Sequence, residues 1–357
     1  MFIKKKLSNH LYNFFLILIV ILFEFSTNIV SAKNFNISDI EIEQVYDLKF
    51  QKSKVIDLAF KEAFKTLIFK ILESKDRNIL SRVSINEIKG LVDNFTITNE
   101  QFVNDKYQSK FNVEFDKKKI INYLNSKGAI TSSINNLETL MLPIFVDRDL
   151  SQIQYYNQNK FYLNWNINNE KYYQIKYILP AEDLEDLSLI NQRRNNLEDY
   201  DFKEIIDKYN LKNSIILIIF KSKNNLKAFS KINFGENKML TNKSYDLKDS
   251  SDLSELLYLI NSIKDDYEDK WKSLNKINSS IILPVRLSVD SNNFELSNKF
   301  EEFVINLDLA SEFSIEKFDN NEIIYKIIFN SSPDKFLNIM LNSNFNIDTS
   351  NEIWKIK

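Results

Sequence analysis

Three glycines in 357 residues, Gly90, Gly128 and Gly235, lie far apart in the chain. Neither a phosphate-cradling P-loop nor a GxGxxG dinucleotide turn can be assembled from them, so a motif-based nucleotide site is excluded. Two other residue types are as scarce. There is no cysteine, and the one histidine is His10. Thiolate nucleophiles, disulfides, iron–sulfur clusters and cysteine zinc sites are therefore absent. If His10 belongs to a removable leader, the mature chain also has no imidazole for a Ser-His-Asp triad or an HExxH site. What remains is chemistry by Asp, Glu, Lys, Arg, Ser and Tyr. No transition metal or redox cofactor is expected, since the ligands these prefer are missing.

The N-terminus reads as a secretory leader. Lys4, Lys5 and Lys6 form a positive start, and the apolar run Leu11–Phe23 is broken only by Asn13 and closed by Glu24. That run is shorter than the ~20 residues a membrane-spanning helix needs. Val30-Ser31-Ala32 then places small residues at the −3 and −1 positions, the pattern of cleavage after Ala32. The expected location is the periplasm; the alternative is an inner-membrane anchor formed by residues 11–30. With no cysteine to acylate, a lipoprotein is excluded. Loss of the leader moves the net charge from −2 to −4. A nucleic-acid binder would carry a basic excess, so no nucleic acid is expected as partner.

The order of periodic segments points to an α+β protein. Residues 1–32 are the signal peptide. Residues 33–136 are expected to form an N-terminal mixed-sheet unit, with a strand from Phe35 and a helix over Ser53–Leu72. In that helix Ile56, Ala59, Phe60, Ala63, Phe64, Leu67, Ile68 and Ile71 share one face. Ala59 and Ala63 are small enough to let it approach a sheet closely. A helix over Lys117–Asn125 ends at Gly128. Residues 137–278 form a middle α/β unit. Its strands are Thr139–Val146, Phe161–Trp165, Tyr172–Leu179 and the continuous apolar run Ser214–Phe220, which suits an interior strand. A helix is expected over Asp199–Tyr209, and a long one over 251–274 with Ser251 as N-cap. Residues 279–357 read as β-α-β-β-α-β, the order of a ferredoxin-like split βαβ unit, with Ser332-Pro333 opening its second helix.

Three stretches resemble the DUF2066 family, secreted or envelope proteins of proteobacteria with no assigned function. They are Asp57-Leu58-Ala59-Phe60-Lys61-Glu62-Ala63-Phe64, Ile178-Leu179-Pro180-Ala181-Glu182-Asp183-Leu184-Glu185-Asp186, and Ile205-Ile206-Asp207-Lys208-Tyr209-Asn210 leading into Ile215–Ile218. The likeness covers roughly residues 35–275. Where the family often has Gly before the Leu-Pro strand and after the Tyr, this chain has Lys, Tyr and Asn. The resemblance implies an envelope protein and brings no catalytic residues with it.

Two acidic clusters sit at strand ends, where ligands of α/β sheets often bind. Asp183 and Asp186, with Glu182 and Glu185, follow Pro180; Asp147 and Asp149 flank Arg148. Each could hold a hard cation or do acid–base work. The simpler reading makes Asp183 a helix cap with an acidic first turn and makes Asp147–Asp149 a turn with a local ion pair. The run Asp265, Asp266, Glu268, Asp269 reads as the solvated side of the long helix. The aromatic stretch Tyr155, Tyr156, Phe161, Tyr162, Trp165, Tyr172, Tyr173 and Tyr177 reads as core or as a platform for a sugar or peptide. The expected function is non-catalytic: protein–protein contact with envelope partners in envelope maintenance or assembly. The alternatives are a carboxylate- and cation-dependent hydrolase of glycan or phosphoester substrates, and a glycan or small-ligand binding protein.

Overall fold

The computed structural model describes residues 34–167, 170–223, 225–246, 252–277 and 281–357. The leader, with His10, the Ala32 cleavage site and the anchor segment 11–30, lies outside them, as does Ser251. The chain is α+β. Residues 34–281 form one compact unit and residues 282–357 another.

The larger unit holds two sheets. The first is wholly antiparallel, in the order β1 (Phe35–Val45), β3 (Lys106–Phe115), β2 (Val92–Val103). Helix α1 (Lys52–Ile71) lies against it and buries Val55, Ala59, Phe60, Ala63, Phe64, Leu67, Ile68 and Ile71. Ala59 and Ala63 are completely buried, so the close approach that small residues permit is used. Ser84 opens α2 (Ile85–Leu91) with a reciprocal capping box to Glu87. Asp116 caps α3 (Lys117–Ser126), and Gly128 follows its end at φ +79°.

The second sheet runs β5 (Gln152–Gln154), β4 (Leu137–Asp147), β7 (Ser214–Ser222), β8 (Asn225–Phe234), β9 (Asn237–Asp246), and β6 (Ile175–Ile178) also pairs with β4. Strands β4, β6 and β7 are parallel; β7, β8 and β9 form an antiparallel meander. β4 and β7 are buried on both faces, which is why they read as nearly unbroken apolar runs. Helix α7 (Leu253–Leu274), capped by Asp252, covers one face with Leu256, Leu259, Ile260, Ile263 and Tyr267. Helices α5 (Leu184–Gln192) and α6 (Lys203–Asp207) contribute Ile190 and Ile205 to the other.

Two expectations change here. Phe161–Trp165 is not a strand: residues Lys160–Asn164 form helix α4. The completely buried Asn159 starts it, accepting from the Phe161 N–H at 2.9 Å and donating to the Pro143 carbonyl at 2.9 Å, so Phe161 turns in to stack on Phe145. The helix expected over Asp199–Tyr209 contracts to α6 because Phe202, buried at its N-cap, takes a left-handed φ of 57°. Few other bulky residues do so in a folded chain. With glycine so scarce, Asn and Asp take most of the left-handed positions: Asp39, Asn99, Asn104, Asp105, Asn210 and Asn344. Their short polar side chains tolerate this conformation. Asn104-Asp105, both at positive φ, make the two-residue turn joining β2 to β3.

The smaller unit has the order β10 (Leu283–Asp290), α8 (Phe294–Ile305), β11 (Ala310–Phe318), β12 (Glu322–Phe329), α9 (Pro333–Asn342), then the short β13 (Ile347–Asp348) and β14 (Trp354–Ile356). Its sheet is β11-β12-β10-β14-β13, the strand arrangement of a split βαβ unit. The last strand departs from that plan. β13 turns back into β14, so β14 enters beside β10 in parallel. Ser332 caps α9 and Pro333 occupies its first turn. Val285, Leu287, Val289, Phe300, Val304, Tyr325, Ile327, Phe329, Phe336 and Met340 are all buried. A core of this size supports independent folding. Residues 282–357 expressed alone are expected to melt in one cooperative transition by calorimetry; a trace without a transition would refute this.

Candidate functional site

The acidic stretch after Pro180 converges on a lysine. Asp183 caps α5, its Oδ1 accepting the Glu185 N–H at 2.7 Å. Lys208, just past α6, donates to Asp183 Oδ2 at 3.0 Å, Glu185 Oε2 at 2.9 Å and Asp186 Oδ1 at 2.7 Å. Asp186 is completely buried and Glu182 is exposed, outside the cluster. The Lys208 hydrogen bond, with the cap, holds the Asp183 carboxyl below its ordinary range. The three carboxylates, Asp186 foremost, raise the Lys208 ammonium above its own. An ammonium therefore stands where a hard cation would sit. Nothing in the local spacing announces Lys208, which lies 22 residues beyond Asp186.

Asp147 and Asp149 are at the carboxyl end of β4, but they do not act as a pair. Asp147 is buried; its Oδ1 accepts the N–H groups of Asp149 and Leu150, both at 3.0 Å, and its Oδ2 meets Lys221 Nζ at 3.1 Å. Asp149 turns away to accept the Lys223 N–H at 2.7 Å. Arg148 lies over the Phe220 ring, 4.5 Å from its centroid. Burial pushes the Asp147 carboxyl up, but the hydrogen bonds from Leu150 and Lys221 outweigh it and hold the group below its usual value. Asp147 and Lys221 border a cavity of about 240 Å³ with Phe145, Phe161 and Leu256.

Of the aromatic stretch, Tyr156, Phe161, Trp165, Tyr172 and Tyr177 are buried. The stretch is mainly core. Tyr173 and Tyr177 also border a second cavity of about 350 Å³, with Asn166 and Lys264.

The run on the long helix departs most from its expectation. Glu268 is completely buried, and so are its helical neighbours Lys264 and Lys272 within 2%. Glu268 Oε1 accepts the N–H groups of Gln174 at 3.0 Å and Ile175 at 2.8 Å. Its Oε2 is 3.7 Å from Lys272 Nζ, which also donates to the Phe69 carbonyl. Burial raises the Glu268 carboxyl and lowers the Lys272 ammonium to about 8. Asp265 and Asp269 are engaged as well, by Arg77 at 2.8 Å and by the Ser74 N–H at 2.8 Å; Asp266 pairs with Lys243. An i, i+4 Lys–Glu–Lys row resembles a surface ladder, so the pattern alone hides its burial.

One surface feature stands apart. Val45 at the end of β1, Tyr46 and Leu48 beyond it, and Phe102 and Val103 at the end of β2, are all exposed. The Tyr46 and Phe102 rings touch at 4.8 Å, and both reach inward, Tyr46 to Phe50 at 5.0 Å and Phe102 to Tyr107 at 5.2 Å. Among the described residues, no group of three or more acidic or histidine side chains is placed to hold a metal, and no helix is long and apolar enough to cross a membrane. No protein-family model matches the chain, and no curated protein is similar to it.

Two outcomes follow from the acidic clusters. Replacing Asp183 with Ala removes a cap and one Lys208 partner, so the melting temperature should fall, while millimolar Ca²⁺ or Mg²⁺ should move neither protein. A wild-type melt that rises with cation and an Asp183→Ala melt that does not would establish a cation site instead. The second concerns acid. Because the folded Asp147 pKa lies below the ordinary 3.8, its carboxylate adds stability above that pH which is lost as pH falls through the folded value. Asp147→Asn should cost about 1.5–3 kcal/mol at neutral pH, the range for a hydrogen bond to a charged group. Its stability should then fall less steeply than wild type between pH 4 and 2 in urea titrations; equal slopes would defeat this.

Proposed function

We propose that this is a periplasmic, non-catalytic protein that serves envelope maintenance or assembly by binding another envelope protein. The observation that carries the reading is the pair of exposed, touching rings Tyr46 and Phe102, with the exposed Leu48 two residues beyond Tyr46. Exposed apolar side chains scattered singly are ordinary, but these two rings come from separate segments and meet with centroids 4.8 Å apart, which supports an interaction surface. The leader pattern and the resemblance to the DUF2066 family support the compartment. The acidic clusters favour a structural role over hydrolysis: Lys208 occupies the centre of one, and Asp147 in the other is committed to two backbone N–H groups and Lys221.

A photo-crosslinking amino acid placed at Leu48 or Phe102 in the living host tests this. Each should give the same discrete adduct in the periplasmic fraction, whereas the exposed polar position Asn196 should give none. Leu48→Asp should abolish the Phe102 adduct without lowering the melting temperature, since Leu48 is fully exposed. Adducts absent from both positions, or equally strong from Asn196, would overturn the proposal, and recovery only in the cytoplasm would overturn the location.

A further inference from the structure

Each sheet ends on strands whose outer backbone groups face no further strand, and such edges invite pairing with another chain unless the fold blunts them. Most are blunted. β1, β2 and β11 are broken by register shifts, and β5, β6 and β13 are only two to four residues long. Among the described residues, β9 is the edge left long and regular. Its ten residues, Asn237–Asp246, contain no proline and lie in unbroken register with β8. The two-residue turn Gly235-Glu236 makes Phe234 and Asn237 a hydrogen-bonded pair, so the odd-numbered residues of β9 bond to β8. The backbone groups of Lys238, Leu240, Asn242, Ser244 and Asp246 point the other way, out of the sheet.

The charges on this edge restrict what it accepts. Lysine on an edge strand discourages pairing unless an acid stands opposite. Lys243 is already paired with Asp266 on α7. Lys238 and Asp246, near the two ends of the strand, are exposed and enter no ion pair among the described residues. A second β9 laid antiparallel about a two-fold axis at Asn242 sets Lys238 of each copy against Asp246 of the other. It also keeps the outward backbone groups in phase: Asn242 exchanges hydrogen bonds with its own counterpart, and Leu240 does so with Ser244. On the α7 side Met239 meets Tyr245, both partly buried at the rim of the core. The neighbouring in-phase registers are worse. An axis at Thr241 brings Glu236 against Asp246, and an axis at Lys243 brings the two copies of Lys243 together.

We propose that β9 pairs with β9 of a second copy of this chain, antiparallel about Asn242, so that two six-stranded sheets join into one across a two-fold axis. The contact uses none of the residues around Tyr46 and Phe102 and does not rest on their role.

Sedimentation velocity of the purified protein, from micromolar to hundreds of micromolar, tests it. A reversible monomer–dimer equilibrium is expected, and Leu48→Asp should leave it unchanged. Lys238→Glu and Asp246→Lys each place like charges opposite one another at both ends of the pairing, so each should weaken the dimer about tenfold. The double variant reverses the pair and should restore the dimer. Because the chain has no cysteine, Asn242→Cys puts the sole thiol of each copy at the axis. The Cα atoms of a hydrogen-bonded pair lie about 5.5 Å apart there, within disulfide reach. Mild oxidation should cross-link that variant, whereas Lys238→Cys, which the pairing holds apart from its counterpart, should stay as single chains. Far-UV circular dichroism verifies that each variant is folded. A protein that stays monomeric throughout, a dimer unmoved by the single charge changes or not restored by the double, a dimer that Leu48→Asp dissociates, or equal cross-linking at both cysteine positions would overturn the proposal.

Discussion

The carboxylate of Glu268 ties the larger unit together. It accepts two backbone N–H groups at the entry to β6 and faces Lys272, whose ammonium reaches the last turn of α1. Three segments distant in sequence thus meet at one buried charge: α7, the start of β6 and the helix that covers the first sheet. Taking such a charge out of water is expensive, and it is tolerated only when its partners are well placed. Burial raises the carboxyl and lowers the ammonium, the signature of that expense. Removing one member would strand the other in the core, a loss that typically reaches ~3–5 kcal/mol.

The same tie sets the position of the cavity. β6 is only four residues long and pairs with one end of β4, so its ladder alone holds it weakly. Anchoring Gln174 and Ile175 to Glu268 fixes the strand that carries Tyr177, and Gln174 adds bonds to the carbonyls of Lys70 and Ser133. The Tyr177 ring beside Lys264 is therefore carried on an anchored strand. The exposed patch has a different basis. It sits where β1 and β2 end, and only its inner rings, Phe50 and Tyr107, join the core.

The acids at the two strand ends and on the long helix are matched by lysines. Lys208 serves three carboxylates, Lys221 serves Asp147 and Lys243 serves Asp266. An acid whose charge is already balanced by an ammonium has no site left for a hard cation. That argues for structural roles at both strand ends.

Periodicity and residue inventory were legible without the fold. The amphipathic stripe of α1, the unbroken apolar runs of β4 and β7, the cap and proline of α9 and the absence of thiols all follow from local rules, because each depends on neighbours within a few positions. Asp183 was legible as a cap for the same reason. Phe161–Trp165 reads as a strand from its residues, but its helix is nucleated by Asn159, whose side chain is fixed by the Pro143 carbonyl on another element. Lys208 and Lys221 were invisible because each reaches its carboxylate across a long stretch of chain. Above all, the Lys264, Glu268 and Lys272 row has the spacing of a solvated helix face. Only the packing of β6 and α1 against that face makes it interior, since burial is decided by what arrives from elsewhere in the chain and not by the helix that carries the charges.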